Sequence, residues 1–266
     1  MSGTVKPKVS VYIIAYNEEG KIEEALRSAT WADEVVVVDS FSTDRTVEIA
    51  RRYTDRIVQI PFRGFGNLRN EALAHTTHEW IFSLDADERC TPEARDEILS
   101  VIRDPGAADA YHVPRRNLFL GRWIRHCDWY PDYRQPQLFR RGALRYREEE
   151  VHEGFDVAGR IGYLKSDLLQ IPFANLSKLV EKMNRYSSLG AEKLAGRGVR
   201  GGMGKALAHG VAGFLRVFLL KRGFLDGWPG FVIALSNFES SFYKYAKLAE
   251  SGRRAGERET PGKVEG

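Results

Sequence analysis

Along the N-terminal part of the chain, apolar residues switch repeatedly between strand-like runs and helical spacing. Val9-Ser-Val-Tyr-Ile-Ile-Ala15 is a near-continuous apolar run of strand length, the pattern of a strand covered on both faces. After Tyr16-Asn17-Glu18-Glu19 the apolar residues Ile22, Ala25, Leu26 and Ala29 fall at helical spacing. A second strand, Glu34-Val-Val-Val-Val38, stops at Asp39, and Ser42-Thr43-Asp44 predicts the cap of a helix carrying Val47, Ile49 and Ala50. A third strand at residues 56–60 leads through the turn Arg63-Gly64-Phe65-Gly66 into a helix over 67–75. The fourth is apolar from Ile81 to Leu84 and ends in Asp85-Ala86-Asp87; Thr91-Pro92 then supplies the N-cap and first-turn proline of the next helix. Alternation on short connections predicts an α/β fold, a mainly parallel sheet flanked by helices.

From about residue 170 the pattern becomes helical, with Leu176, Leu179, Val180, Met183 and Tyr186 at helical spacing. The glycine-rich basic stretch 196–204 is too rich in glycine for a helix and lacks the spacing of a phosphate-binding loop. Residues 205–220 predict a mostly apolar helix, and Gly227-Trp228-Pro229-Gly230 turns the chain into a last, aromatic-rich helix over 231–248. The expected organisation is a nucleotide-binding catalytic domain over 1–170, a helical basic extension over 171–250 and a disordered tail over 251–266.

In parallel sheets ligands sit beyond the carboxyl ends of the strands. Tyr16, Asn17, Asp39 and the Asp85/Asp87 pair all fall there, and together they predict a nucleotide site. Two carboxylates spaced i, i+2 in extended backbone point the same way, which suits a hard divalent cation.

Charge adds one feature. The formal net charge of the 266 residues is only +4, so the average says little about partners; no nucleic acid is expected among them. Between Lys178 and Arg222, however, ten Lys/Arg stand against two Glu, an excess of +8 around an apolar helix. That concentration predicts peripheral association with an anionic membrane surface. The two cysteines, Cys90 and Cys127, supply neither a disulfide framework nor zinc spacing. The start lacks an apolar signal core, and no uninterrupted apolar run approaches the ~20 residues of a membrane span. A cytosolic protein with reduced thiols, peripheral on an anionic membrane, is the expectation.

The segments Ile-Ile-Ala-Tyr-Asn-Glu-Glu (13–19), Val-Val-Val-Val-Asp-Ser-Phe-Ser-Thr-Asp-Arg-Thr (35–46) and Leu-Asp-Ala-Asp (84–87) resemble family 2 glycosyltransferases of the GT-A fold. The resemblance covers roughly residues 9–155. Downstream, Trp129-Tyr-Pro-Asp-Tyr-Arg134, Gln137-Leu-Phe-Arg-Arg141 and Val151-His-Glu153 resemble one bacterial subgroup. Its members include enzymes that add β-1,4-glucose to the heptose of the lipopolysaccharide inner core. One departure is Ser40-Phe41, where the family usually has Asp-Gly after its first acid.

The resemblance implies an inverting, metal-dependent transfer from a UDP-sugar, most simply UDP-glucose, to a glycolipid or oligosaccharide acceptor. It puts the nucleoside along Ala15, Tyr16, Asn17 and Asp39, with Glu18 beside them. It implies Asp87 as direct ligand of Mn2+ or Mg2+ and catalytic group, with Asp85 on the ribose or a metal-bound water. Arg69 and Arg134 would add positive charge for phosphate, as would Arg122 and Arg125. Glu153 is the general base it implies and His152 a further metal ligand, with Asp128 or Asp132 as substitutes for the base; Glu148 to Glu150 read as a solvated loop. The aromatic residues Phe119, Trp123, Trp129, Tyr130 and Tyr133 suit a sugar acceptor or ordinary packing. Two competitors stay open: transfer to a polyprenyl phosphate, which is already ionised and needs no base, and a non-catalytic glycan-binding protein on a degenerate GT-A fold. A nucleotidyltransferase fits less well, because the first strand opens into Tyr-Asn-Glu-Glu and not into a glycine-rich phosphate loop.

Overall fold

The computed structural model describes residues 7–148, 154–173 and 175–259, the last seven by backbone only. It divides into two compact units, residues 1–117 with 131–171, and residues 118–130 with 172–266. The second crossover lies beside the expected boundary at 170. The stretch 118–130, expected in the first domain, belongs to the helical unit.

The first unit is built on β1 (Val9–Ala15), α1 (Ile22–Ala29), β2 (Glu34–Asp39), α2 (Thr46–Ala50), β3 (Ile57–Gln59), α3 (Phe65–Ala74) and β4 (Trp80–Asp85). β5 (Glu88–Cys90), α4 (Pro92–Val101), β6 (Ala110–His112) and β7 (Arg115–Phe119) follow. β8 (Arg122–Trp123) lies in the second unit. β9 (Leu138–Arg140), β10 (Leu144–Tyr146), β11 (Phe155–Val157), β12 (Ile161–Tyr163) and β13 (Leu168–Gln170) return to the first. The main sheet has the order β12-β6-β9-β4-β1-β2-β3. It is parallel except at β9, which runs antiparallel to both β4 and β6. The mainly parallel sheet expected from the sequence is thus a mixed one with a single reversed strand.

β1 shows why its apolar run is continuous. Val9, Val11, Ile13 and Ala15 face α1 and α4, packing with Ile22, Leu26, Ala94 and Ile98. Tyr12 and Ile14 face the opposite layer, with Leu68 and Ala72 of α3. Period two sends alternate residues to opposite faces, and both faces are covered. Ser10 is the polar exception; it donates to the buried Glu34 carboxylate, which Arg56 also meets. Thr91 caps α4 as expected, its Oγ1 accepting the Ala94 N–H at 3.1 Å ahead of Pro92. At α2 the predicted cap is not formed: the N-cap position is Arg45, without a side-chain cap bond, and Asp44 accepts the Thr46 N–H at 2.9 Å from one residue earlier, while Ser42 and Thr43 bond elsewhere.

Gly66 marks a close approach. A Cβ there would lie 2.0 Å from the Arg147 carbonyl oxygen, so only glycine lets α3 meet the chain leaving β10. Gly66→Ala is therefore expected to cost about 1–3 kcal/mol by overpacking, measured as a shift in the urea midpoint. Unchanged stability would mean that this contact is not held in solution.

The second unit comprises α5 (Leu176–Ala195), α6 (Met203–Leu215) continuing as a π-helical turn (Arg216–Leu220), a 3-10 turn (Gly223–Asp226) and α7 (Gly227–Glu259). α5 is capped by Asn175, whose Oδ1 accepts the Lys178 N–H at 3.0 Å. Its core gathers Phe119, Ile124, Leu179, Val217, Ile233 and Ala234. α7 continues to Glu259, so residues 251–259, expected to be disordered, extend a helix. Both cysteines are free and buried, and burial pushes each thiol up to about 12, leaving them unreactive near neutral pH.

Candidate active site

Register brings the predicted residues to one edge of the sheet. Ala15 pairs with Asp39, Asp39 with Gln59, and Ile14 with Asp85, so β1, β2, β3 and β4 end side by side. Beyond that edge the loops after β1 and β2 are laced together. Asn17, at φ 54°, donates its N–H to Ser42 Oγ (2.8 Å) and accepts the Thr43 N–H (2.8 Å). Glu18 donates its N–H to Thr46 Oγ1 at 2.8 Å, and the Ala15 carbonyl accepts the Ser40 N–H at 2.9 Å.

Asp39 is fully buried and already supplied with donors: the Ser42 N–H at 3.0 Å, the Ser42 hydroxyl and Gln59 Nε2 at 2.9 Å. It builds the floor of the edge as much as it offers an acceptor. Tyr16 and Phe41 are the exposed aromatic rings that follow β1 and β2. Phe41 sits at φ 58°, a left-handed conformation that favours glycine, which is the residue the family usually has here. An exposed phenylalanine held in that conformation gains little from packing, so the strain points to use of its ring. Phe41→Gly should leave the melting temperature unchanged or slightly higher and, if the edge takes the nucleotide that the sequence leads us to expect, weaken its binding by about fivefold or more, the scale of a lost stacking contact. Titration calorimetry checks this, and unchanged affinity would assign the ring no part in binding.

At the end of β4 the two carboxylates have different surroundings. Asp85 is held by Arg69, whose guanidinium donates at 2.9 Å to it and at 3.0 Å to Ser83 Oγ. Burial pushes the Asp85 carboxyl up, but Arg69 and Arg115 outweigh it and hold it below its usual value. Arg69 itself is buried and lies over the Tyr146 ring, so its charge is spent on Asp85. Asp87 has a weaker partner, Gln170 Nε2 at 3.2 and 3.4 Å. Burial and then the Asp85 charge push its carboxyl up, with Lys21 opposing them. A desolvated carboxylate in this state gains most from a cation.

Beneath the pair lies a buried polar layer that motif reading did not find. Glu88 and Arg115, both without exposure, form an ion pair. Glu88 also accepts Gln137 Nε2 at 2.8 Å and the Asp85 N–H at 2.9 Å, tying the pair to the backbone of the acidic motif. Arg115 reaches the Asp132 carbonyl at 3.3 Å, and Asp132 binds Arg134 at 2.7 Å. Arg134 is thus linked through Asp132 to Arg115 and the buried layer. Tyr12 and Tyr146 share a hydroxyl–hydroxyl bond of 3.0 Å in the layer facing α3. Gln137 stood in the motif Gln137-Leu-Phe-Arg-Arg141 and Glu88 stands beside the acidic pair, but neither pattern announced a buried layer. Arg115 comes from a five-residue strand with no recognisable period.

Glu153 and His152, with Glu149 and Glu150, lie outside the described residues. Among the substitute bases, Asp132 is in the first unit; Asp128 is in the second, paired with Lys221 at 2.7 Å. Phe119, Trp123, Trp129, Tyr130, Arg122 and Arg125 also belong to the second unit, whereas Tyr133 and Arg134 stay with the first. Phe119 is a core residue there, packed on Trp129 and Phe173.

No cluster of three or more His, Cys, Asp or Glu side chains poised for a metal occurs among the described residues. One open carboxylate beside one held by arginine nevertheless fits Mg2+ or Mn2+, which take only one or two protein carboxylates and draw their other ligands from water and substrate phosphate.

Residues 10–172, more than half of the chain, match the family described as glycosyl transferase family 2. The chain is a family 2 glycosyltransferase. Over 250 residues this glycosyltransferase is 28% identical to the lipopolysaccharide core biosynthesis glycosyltransferase LpsC of Rhizobium meliloti, covering 91% of this chain and 92% of the relative. It is 27% identical over 264 residues to an uncharacterized glycosyltransferase of Rickettsia felis, covering 92% and 90%. Among solved structures, S. aureus TarS 1-349 in complex with UDP matches at a TM-score of 0.50 and 20% identity, over 93% of this chain and 92% of that one. That likeness is one of GT-A fold.

Proposed function

We propose that this glycosyltransferase moves glucose from UDP-glucose to a sugar hydroxyl of a lipopolysaccharide-core acceptor at the cytoplasmic face of the inner membrane. The observation that carries the reading is the division of labour at the end of β4. Arg69 neutralises Asp85, and Asp87 is left desolvated with a single amide partner. Likeness to LpsC along nine-tenths of the chain supports the acceptor class.

In this reading the uracil and ribose lie across Ala15, Tyr16, Asn17 and Asp39, with Glu18 and Lys21 at the rim. Asp85, fixed by Arg69 and by Glu88 through its N–H, meets the ribose side; Asp87 is the residue that would hold Mg2+ or Mn2+. The cation supplies Lewis-acid stabilisation of the charge that develops on the leaving phosphate. Arg134 adds a guanidinium to the same oxygens. A carboxylate, Glu153 or Asp132, takes the proton of the acceptor hydroxyl as that oxygen bonds to the anomeric carbon. The bond from that carbon to the phosphate oxygen breaks, UDP departs with the electron pair, and the anomeric configuration inverts.

Titration calorimetry of the full chain against UDP-, GDP- and CMP-sugars, with and without manganese, tests the donor. Manganese-dependent binding of UDP-glucose, followed by transfer to a lipopolysaccharide-core oligosaccharide, is the expected result. Preference for another nucleotide, or binding indifferent to the metal, would overturn the reading.

A further inference from the structure

The second unit exposes more apolar surface than its packing uses. Along α6 and its π-helical continuation, Met203, Leu207, Val211, Leu215 and Leu219 recur every fourth residue, and all are exposed. Residues four apart share a helix face, so these five form one continuous stripe. The other side of the same helix is used: Ala206, Gly210 and Val217 are buried, and α6 packs along α7. At the turn into α7 the exposed apolar side chains become larger, with Leu220, Phe224, Leu225, Trp228 and Phe231. A patch of this extent marks an interaction surface.

Charge selects the occupant. Lys205 and Arg216 lie on the same helix as the stripe, and Lys221 and Arg222 sit beside the aromatic turn. They belong to the stretch with the local excess of +8. A second copy would present the same positive surface and be repelled; an anionic lipid surface would be attracted, at about 1 kcal/mol per basic residue near it. Tryptophan and phenylalanine beside basic residues are also the side chains that settle at the headgroup level.

By length and composition the stretch Met203–Leu220 would suffice to cross a membrane. Its exposed apolar stripe, with Lys205 and Arg216 on the same helix but outside the stripe, instead suits a helix lying in the interface plane. We infer that the α6–α7 hairpin is an interfacial membrane anchor. The α6 stripe and the Phe224–Trp228 turn enter the headgroup boundary of an anionic bilayer, and the basic residues stay at its surface. This adds a bilayer partner to the reading of a membrane-borne acceptor, but its observations are independent of the donor and the metal.

Co-sedimentation of the full chain with phosphatidylcholine vesicles, and with vesicles containing phosphatidylglycerol, tests the anchor without any nucleotide. Binding to the anionic vesicles should weaken with salt and fall at least about tenfold in L219E/L220E, which removes two inserted leucines. Both residues are exposed, so the variant should keep its melting temperature and its hydrolysis of UDP-glucose in solution. As a second measurement, brominated lipids should quench fluorescence in the parent chain and much less in Trp228→Phe. The inference fails if the chain ignores anionic vesicles, if L219E/L220E binds them as well as the parent, or if that variant instead dissolves a dimer seen by analytical ultracentrifugation. A chain that binds vesicles but does not turn over UDP-glucose would overturn the transferase reading alone.

Discussion

Asp87→Asn should abolish most activity without destabilising the protein. Loss of the open carboxylate removes several kcal/mol of charge stabilisation at the leaving group, so turnover should fall at least about a hundredfold. Stability should move the other way or not at all. Asp87 is largely desolvated beside the Asp85 charge, and among the described residues Gln170 is its side-chain hydrogen-bond partner, so neutralising it relieves a cost. Asparagine keeps the shape and one acceptor for Gln170. Steady-state kinetics with UDP-glucose and manganese, read beside a thermal melt, separate the two effects. Retained turnover would remove Asp87 from the chemistry; a collapse in melting temperature equal to the loss of activity would make its role structural.

Glu88→Gln should show the opposite balance, a large loss of stability with activity lost through geometry. The substitution takes from the buried Arg115 guanidinium its ion-pair partner, leaving the more distant Asp85 charge, and takes the carboxylate away from Gln137 and the Asp85 N–H. Breaking a buried pair from one side costs about 3–5 kcal/mol. A double variant, Glu88→Gln with Arg115→Met, should be less destabilised than the sum of the two single changes, because the orphaned charge is gone. Urea denaturation of the four proteins closes that cycle. Well below the melting temperature the double variant should still be slow, since the Asp85 N–H then loses its charged acceptor. Additive stabilities would show that the ion pair does not hold the layer together.

Gly66 and Phe41 illustrate how far local sequence reached. Gly66 was read as part of a turn but lies in the first turn of α3, and its reason, the Arg147 carbonyl against that helix, lies eighty-one positions along the chain. Phe41 stood out as a departure from the family pattern, and its positive φ explains why glycine is usual there. Arg69 was legible as a cation near the site. Its burial under Asp85 was not, because a helix sequence does not tell which side chains the sheet will cover.

Periodicity alone determined the alternation of β1 to β4 with their helices and placed Tyr16, Asn17, Asp39 and the acidic pair at one edge. That much follows from local rules, since runs covered on both faces must be apolar and parallel strands must end together. The basic, apolar character of the C-terminal helices was equally plain. Tertiary structure decided the rest: which carboxylate is neutralised and which stays open, the Glu88–Arg115–Gln137 layer beneath them, and the assignment of 118–130 to the helical unit. Those features depend on burial and on pairing between residues far apart in sequence, and strands of two to five residues carry too short a period to announce them.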